Sequence, residues 1–264
     1  MSIDRAVVAE QAWWISVGVL CVLFLATLWL STIDQRVLAG AGVWSKPMKF
    51  SIATAIHFAT LALVVRLLSE PVRSHPLLLA LVALSILATV GEMAYIIARA
   101  ARQEASHFNV STPFAARLYG LMAIGAVIIV GSAGVLGLVA LTDRGAAMGG
   151  PLRTAIALGF VGGTGLTLLV AFTLGGRMAH LVGIEAAGAP RMPLTGWSRT
   201  AGDLRVPHFF ATHMIQAIPV AGLVLERAST GPGGVLAVWI VALAWAALTL
   251  ATFRQALAGA PFGW

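Results

Sequence analysis

Seven long apolar runs decide what this chain can fold into. They occupy about residues 12–31, 49–68, 76–101, 115–141, 154–178, 207–226 and 234–257, and each meets the length of about 20 residues that a helix needs to cross a bilayer. Every run is continuously apolar, whereas barrel strands alternate over about ten residues. Hydrocarbon offers backbone groups no water, so the segments must satisfy their own hydrogen bonds. The expectation is an all-α polytopic membrane helix bundle of seven transmembrane helices, a single transmembrane domain over residues 1–264. Only 10% of the 264 residues are charged, against about 25% in a soluble domain, and no stretch remains for a sizeable soluble domain.

The single cysteine, Cys21, lies inside the first run and excludes an intrachain disulfide. The net charge of +7 sits mostly in loops and includes no basic cluster interleaved with aromatics. It therefore points to topology and anionic lipid, not to nucleic acid. The residues before the first run lack the basic region of a signal peptide, and the run is too long for an h-region, so it is read as a true span. With the N-terminus outside, eleven of the 17 Lys and Arg residues fall on the inner side and six on the outer. That bias favours an outer N-terminus and an inner C-terminus.

Small residues mark helix contacts. Ala155, Gly159 and Gly163 recur every fourth residue in span five, a spacing that lets helices approach closely. A faint echo joins Trp44-Ser45-Lys46 and His57-Phe58-Ala59-Thr60 with Trp197-Ser198-Arg199 and His208-Phe209-Phe210-Ala211-Thr212. Spans two and six run in the same direction, which would suit a three-plus-one-plus-three duplication. Trp44 and Trp197 read as interfacial anchors.

Two polar stripes interrupt the apolar faces. At about 100° per residue, with Arg205 at zero, the residues His208, Thr212, Gln216 and His213 fall at about −60°, −20°, +20° and +80°. Met214, Ile215 and Ile218 take the other side. In span three, with Glu92 at zero, Tyr95, Arg99, Arg102, Gln103 and Ser106 all fall within about 80° on one side or 20° on the other. This helix is expected to run on to about Ser106-His107-Phe108-Asn109. Such stripes must face protein or water, and a carboxyl at the depth of Glu92 needs a partner, such as Arg99, or a proton. Span two opens with Ser45 as a candidate N-cap, Pro47 in the first turn, and Lys46 and Lys49, the only lysines. Counting spans brings His107, His180 and His208 near one membrane face, with His57, Glu92 and His213 slightly inside it. His75 falls on the other face.

Neutral histidines beside a carboxylate can ligate a transition metal. Histidines on facing helices can ligate haem, with arginines on its propionates. On that reading His57, His107, His180, His208 and His213 are the candidate metal ligands. His208, His213, Lys46 and Lys49 would hold a cofactor or its anionic groups, and Glu92, Arg102 and Arg205 carry the chemistry. His208 and His213 are five residues apart, about 140° round the helix, so they do not pair as i,i+4 ligands do. Metallohydrolase and membrane di-iron histidine motifs are absent, and the last span has no lysine for a retinal Schiff base. Two other readings stand beside the metal or haem site. One is a proton-coupled small-molecule transporter with Glu92 and the histidines as relay groups. The other is a non-catalytic membrane subunit whose stripes hold a membrane protein partner or a second copy.

Three motifs add a resemblance. Trp44-Ser45-Lys46-Pro47-Met48-Lys49-Phe50, Ser106-His107-Phe108-Asn109 and Gly202-Asp203-Leu204-Arg205-Val206-Pro207-His208-Phe209 together resemble a group of bacterial multi-pass membrane proteins of unassigned activity. The resemblance covers about residues 44–220 and implies a location in the bacterial inner membrane.

Overall fold

The computed structural model describes residues 5–186 and 188–263. The chain is an all-α membrane protein in which, among the described residues, seven helices are long and apolar enough to span a bilayer. The helices and short strands are α1 (Arg5–Ile33), β1 (Val37–Leu38), β2 (Ala41–Gly42), α2 (Ser45–Leu67), α3 (Glu70–Arg73), α4 (Pro76–Ala101) and α5 (Pro113–Thr142). They continue as α6 (Gly150–Ala157), a π-helical turn (Leu158–Gly162), α7 (Gly163–Arg177), β3 (Leu181–Val182), β4 (Gly202–Asp203), α8 (Arg205–Ala228) and α9 (Pro232–Leu257). The segment from α6 to α7 is one span.

Local chemistry sets the helix starts. Pro76, Pro113, Pro151 and Pro232 each stand in a first turn, where no backbone donor is lost. Thr112 Oγ1 accepts from Ala115 N at 3.1 Å and caps α5. His75, read from the sequence only as a loop residue, caps α4 by accepting from Leu77 N at 3.2 Å. At α2 the cap position falls to Trp44, with no side-chain cap bond, so Ser45 is the first helical residue and not the cap.

The chain forms two compact units, one of residues 5–132 and 143–147, the other of residues 133–142 and 148 onward. In the first unit α1, α2 and α4 pack together around Trp13, Phe58, Leu61, Val65 and Ile96. The Trp13 indole N–H donates to Ser85 Oγ of α4 at 3.1 Å, which satisfies a donor that burial would otherwise strand. Asp143 accepts from Ser69 N at 2.7 Å and from Gly145 N at 3.1 Å, tying the loop after α5 to the start of α3.

In the second unit α8 packs on the α6–α7 span and on α9. The small residues expected to permit close approach do so. The Ala155 side chain fills the space a Cβ on Gly222 would need, Gly159 faces Ile218 and Pro219, and Gly163 faces Met214 and Ile215. Four residues overshoot one α-turn by about 40°, so an unbroken helix would rotate the third small residue away from α8. The π turn takes more residues per turn and cancels that drift.

Both units repeat the order helix, two-stranded antiparallel β-pair, helix, helix among their spans. The residue echo is not in the same register. Trp44 directly precedes α2, whereas Trp197 lies eight residues before Arg205, the first residue of α8. His57 accordingly sits three turns into its helix and His208 in the first turn. Both tryptophans pack inside their own units. Trp44 is buried with its indole N–H on Asp34 Oδ2 at 2.7 Å. Trp197 is buried against the rings of Phe209 and Phe262, at centroid separations of 5.5 Å and 5.7 Å.

Candidate functional site

The first unit carries a groove between α4 and α5. Its loop end has a volume of about 870 Å³ and is lined by Arg99, Arg102, Glu104 and residues 108–112. Its inner end, about 340 Å³, is lined by Leu84, Leu87, Glu92, Leu121, Ile124 and Gly125 among others. Tyr95 and Leu118 line both ends, so the two volumes meet at that level. The helix face that lines the groove follows from the span-three stripe. Glu92, Tyr95 and Arg99 recur at three and four residues and share one side of α4.

Glu92 is 3% exposed, and its Oε1 has no hydrogen-bond partner among the described residues. Gly125 of α5 leaves room for it, because a Cβ there would stand 2.9 Å from Oε1. Two more buried oxygens on the same helix, Thr89 Oγ1 and Tyr95 Oη, also lack a well-formed hydrogen bond, although the Arg99 guanidinium stands beside Tyr95. Burying an unsatisfied polar group costs about 1–3 kcal/mol, so these oxygens within two turns of α4 are the candidates for a partner outside the fold. Lys46 is the cation whose field reaches Glu92, and no contact ion pair joins them.

Arg99 is not the partner of Glu92. It pairs with Glu104 and lies over the Tyr95 ring, 5.1 Å from its centroid. The reason is the helix end. Gln103 takes a left-handed φ of +57°, with Glu104 N on Arg99 O at 2.9 Å and Gln103 N on Ala100 O at 3.0 Å. That closing motif stops α4 at Ala101 and folds Glu104 back onto Arg99. The helix does not continue to Ser106-His107-Phe108-Asn109. Arg102 is left exposed at the mouth of the groove, and its side chain has no ion pair among the described residues.

The remaining candidates divide between the units. In the first, Lys49 is exposed. His57 is buried with Nε2 at 3.0 Å from Ile129 O, and His107 packs near Tyr119, 6.2 Å between ring centroids. In the second, His180 is exposed and its carbonyl accepts from Leu204 N at 2.9 Å. His213 Nδ1 is 2.8 Å from Phe209 O, and its ring stacks on Phe209 at 4.0 Å. His208 Nδ1 is buried without a hydrogen-bond partner. Among the described residues, no three His, Cys, Asp or Glu side chains are grouped to hold a metal ion.

Arg205 is committed to structure. Its Nε and Nη2 donate to Asp203 Oδ1 and Oδ2 at 2.9 Å and 2.5 Å, and Nη2 also reaches Gly196 O at 2.8 Å. Burial opposes the ionisation of Asp203, but the Arg205 hydrogen bonds and charge, with the N–H groups of Ser198 and Arg205, outweigh it and hold the carboxyl below its usual range. The same clamp is built once more in the first unit. Arg36 Nε and Nη2 donate to Asp34 Oδ1 and Oδ2 at 2.9 Å and 2.7 Å, and Asp34 too is held below the usual range, chiefly by Arg36 and then by the Trp44 indole. Sequence reasoning missed this clamp, although Asp34-Gln35-Arg36 and Asp203-Leu204-Arg205 carry the same Asp-x-Arg spacing. It also left Thr89 and Gly125 out, and neither carries a signal that sets it apart in a helix of small residues. No protein-family model, curated protein or solved structure matches this chain.

Proposed function

We propose that this integral membrane protein is a proton-coupled small-molecule transporter, with Glu92 as the group that takes up and releases the proton. The observation that carries the reading is the buried Glu92 oxygen without a partner, facing a groove. Intramembrane acids so placed tend to serve ion or proton pathways. Thr89 and Tyr95 extend the line of oxygens without a well-formed hydrogen bond along α4, and Lys46 supplies a positive field without a fixed pair. With an outer N-terminus, an inner C-terminus and a location in the bacterial inner membrane, the loop end of the groove faces the cytoplasm.

The test is infrared difference spectroscopy of the protein in lipid across a pH jump. The expected result is a protonated-carboxyl carbonyl band that rises and falls with pH and is lost in Glu92→Gln. An identical carboxyl signal in both proteins removes Glu92 as the proton carrier.

A transition-metal or haem site is the second reading, and the observation that favours it is His208 Nδ1, buried without a partner beside His213. His213 also fits a ligand in one respect, since a backbone carbonyl lies against its Nδ1 and would orient the ring. No third ligand accompanies the pair among the described residues. An absorption spectrum from the near-ultraviolet through the visible range, with elemental analysis of the same sample, decides it. A pigment or a stoichiometric metal lost in His208→Ala or His213→Ala supports this reading. A role as a non-catalytic subunit, with a protein partner or second copy, is supported if both sets of variants leave every site signal unchanged while a co-purifying partner is lost.

A further inference from the structure

The groove described above has a polar mouth and an apolar inner end, and that asymmetry defines what it can hold. At the mouth, Arg102 is an exposed cation without an ion pair among the described residues. One turn or two deeper, Tyr95 Oη offers an O–H with no acceptor, and Glu92 follows. Beyond them the lining is hydrocarbon. Leu84, Leu87, Leu121 and Ile124 are all exposed, between 52% and 69%, on helices that cross the membrane. The inner end is therefore open along its side, where two spanning helices present apolar side chains. Both volumes fall within the roughly 300–1,000 Å³ of small-molecule sites.

We infer that the α4–α5 groove takes an acyl-chain amphiphile with an anionic head. The head lies between Arg102 and Tyr95, and the chain lies along Leu84, Leu87, Leu121 and Ile124. The guanidinium supplies charge-assisted hydrogen bonds to the anion, and the Tyr95 hydroxyl donates to a head oxygen. The chain enters from the bilayer side, so it never crosses water. The inference deepens the carrier reading and rests on it in one respect: a proton on Glu92 offsets the charge of the head as it moves inward. The binding geometry itself needs no gradient. An anionic head on a chain is common to free long-chain carboxylates and to anionic phospholipids.

The experiment uses the full chain in phosphatidylcholine nanodiscs with a diazirine-bearing oleate as the probe. Saturable photolabelling confined to the α4 and α5 peptides that carry Leu84, Leu87, Leu121 and Ile124 is expected. Arg102→Gln, which removes the charge at an exposed position, should weaken labelling roughly tenfold, as loss of a charge-assisted bond does. Leu121→Trp should block it by filling the inner end. Competition by oleate alone assigns the site to free carboxylates, and competition by phosphatidylglycerol but not phosphatidylcholine assigns it to a lipid headgroup. Equal competition by a neutral long-chain alcohol, labelling scattered over other exposed helix faces, or labelling unchanged in both variants overturns the inference. Saturable labelling together with a Glu92 carboxyl that does not titrate leaves the amphiphile site standing and removes the carrier reading, and the converse result does the reverse.

Discussion

Glu92 and Gly125 are matched across two helices: the carboxylate Oε1 occupies space that opens only because residue 125 has no side chain, with a would-be Cβ 2.9 Å away. The atom it would press is the far end of a flexible side chain, so relief is inexpensive for the fold. Gly125→Ala is expected to keep the protein folded, shifting stability by about 1 kcal/mol or less, within the range of tolerated changes. The Glu92 carboxyl must turn along the groove to make room. Its pH-dependent carbonyl band should move in frequency while the thermal unfolding temperature stays close to that of the parent. A large drop in unfolding temperature would instead show that the close approach of α4 and α5 at this level is structural.

Gly159 has no such latitude. A Cβ there would lie 2.7 Å from Pro219 Cδ and 3.1 Å from the Met214 carbonyl oxygen, and neither the ring nor the backbone can step aside. Gly159→Val is expected to destabilise by about 1–3 kcal/mol through overpacking. Gly165, on the same span with nothing near its would-be Cβ, should accept Val with far less loss. Unfolding of the two variants by denaturant in mild detergent compares them directly. Equal loss at both positions would mean that helix propensity, not the α8 contact, sets the cost.

The Asp34–Arg36 and Asp203–Arg205 clamps make a pH prediction. Both carboxyls lie below the usual range in the folded protein, and an unfolded aspartate has its pKa at about 3.9. As pH falls through about 4, the unfolded chain takes up protons that the folded chain refuses. The stabilisation is therefore complete above that pH and is lost progressively below it. Asp203→Asn should lower the unfolding temperature at neutral pH and flatten its fall between about pH 5 and pH 2. A variant whose unfolding temperature falls as steeply with acid as the parent's would show that Asp203 is not the group responsible.

The seven spans were legible because a bilayer imposes length and continuous apolarity, and those need no tertiary knowledge. The structure moves their ends by only a few residues, apart from the longer start of α1 at Arg5. The groove was half legible. Glu92, Arg102 and the stripe of α4 follow from helical spacing, and the small-residue seam of Ala155, Gly159 and Gly163 was read correctly. What spacing could not supply was partner choice. Arg99 reaches Glu104 because of one left-handed residue, Gln103, and no periodicity encodes that turn. Arg205 looked available for a ligand because its counter-charge, Asp203, lies outside the helical count, in β4. The histidines drew attention because counting spans brought them to one membrane face, but His57 and His213 already have ring nitrogens against backbone carbonyls.

Glu226 supplies the last prediction. Its two carboxylate oxygens accept from Gly149 N at 3.1 Å and from Leu152 N at 3.0 Å, at the start of α6. The first backbone donors of a helix have no partner within it, and the helix dipole favours negative charge there. A residue near the C-terminal end of α8 thus caps another helix of the same unit. Glu226→Ala should cost about 0.5–2 kcal/mol, as the loss of a capping side chain does. Glu226→Gln should recover only part of it, because one carboxylate oxygen becomes an NH₂ group facing an N–H donor. Gly149→Ala presses a Cβ to 2.6 Å from Glu226 Oε2, so its cost should largely vanish in the Glu226→Ala background. A double-mutant cycle on thermal or denaturant unfolding measures that coupling. Strict additivity of the two changes would show that the carboxylate does not cap α6.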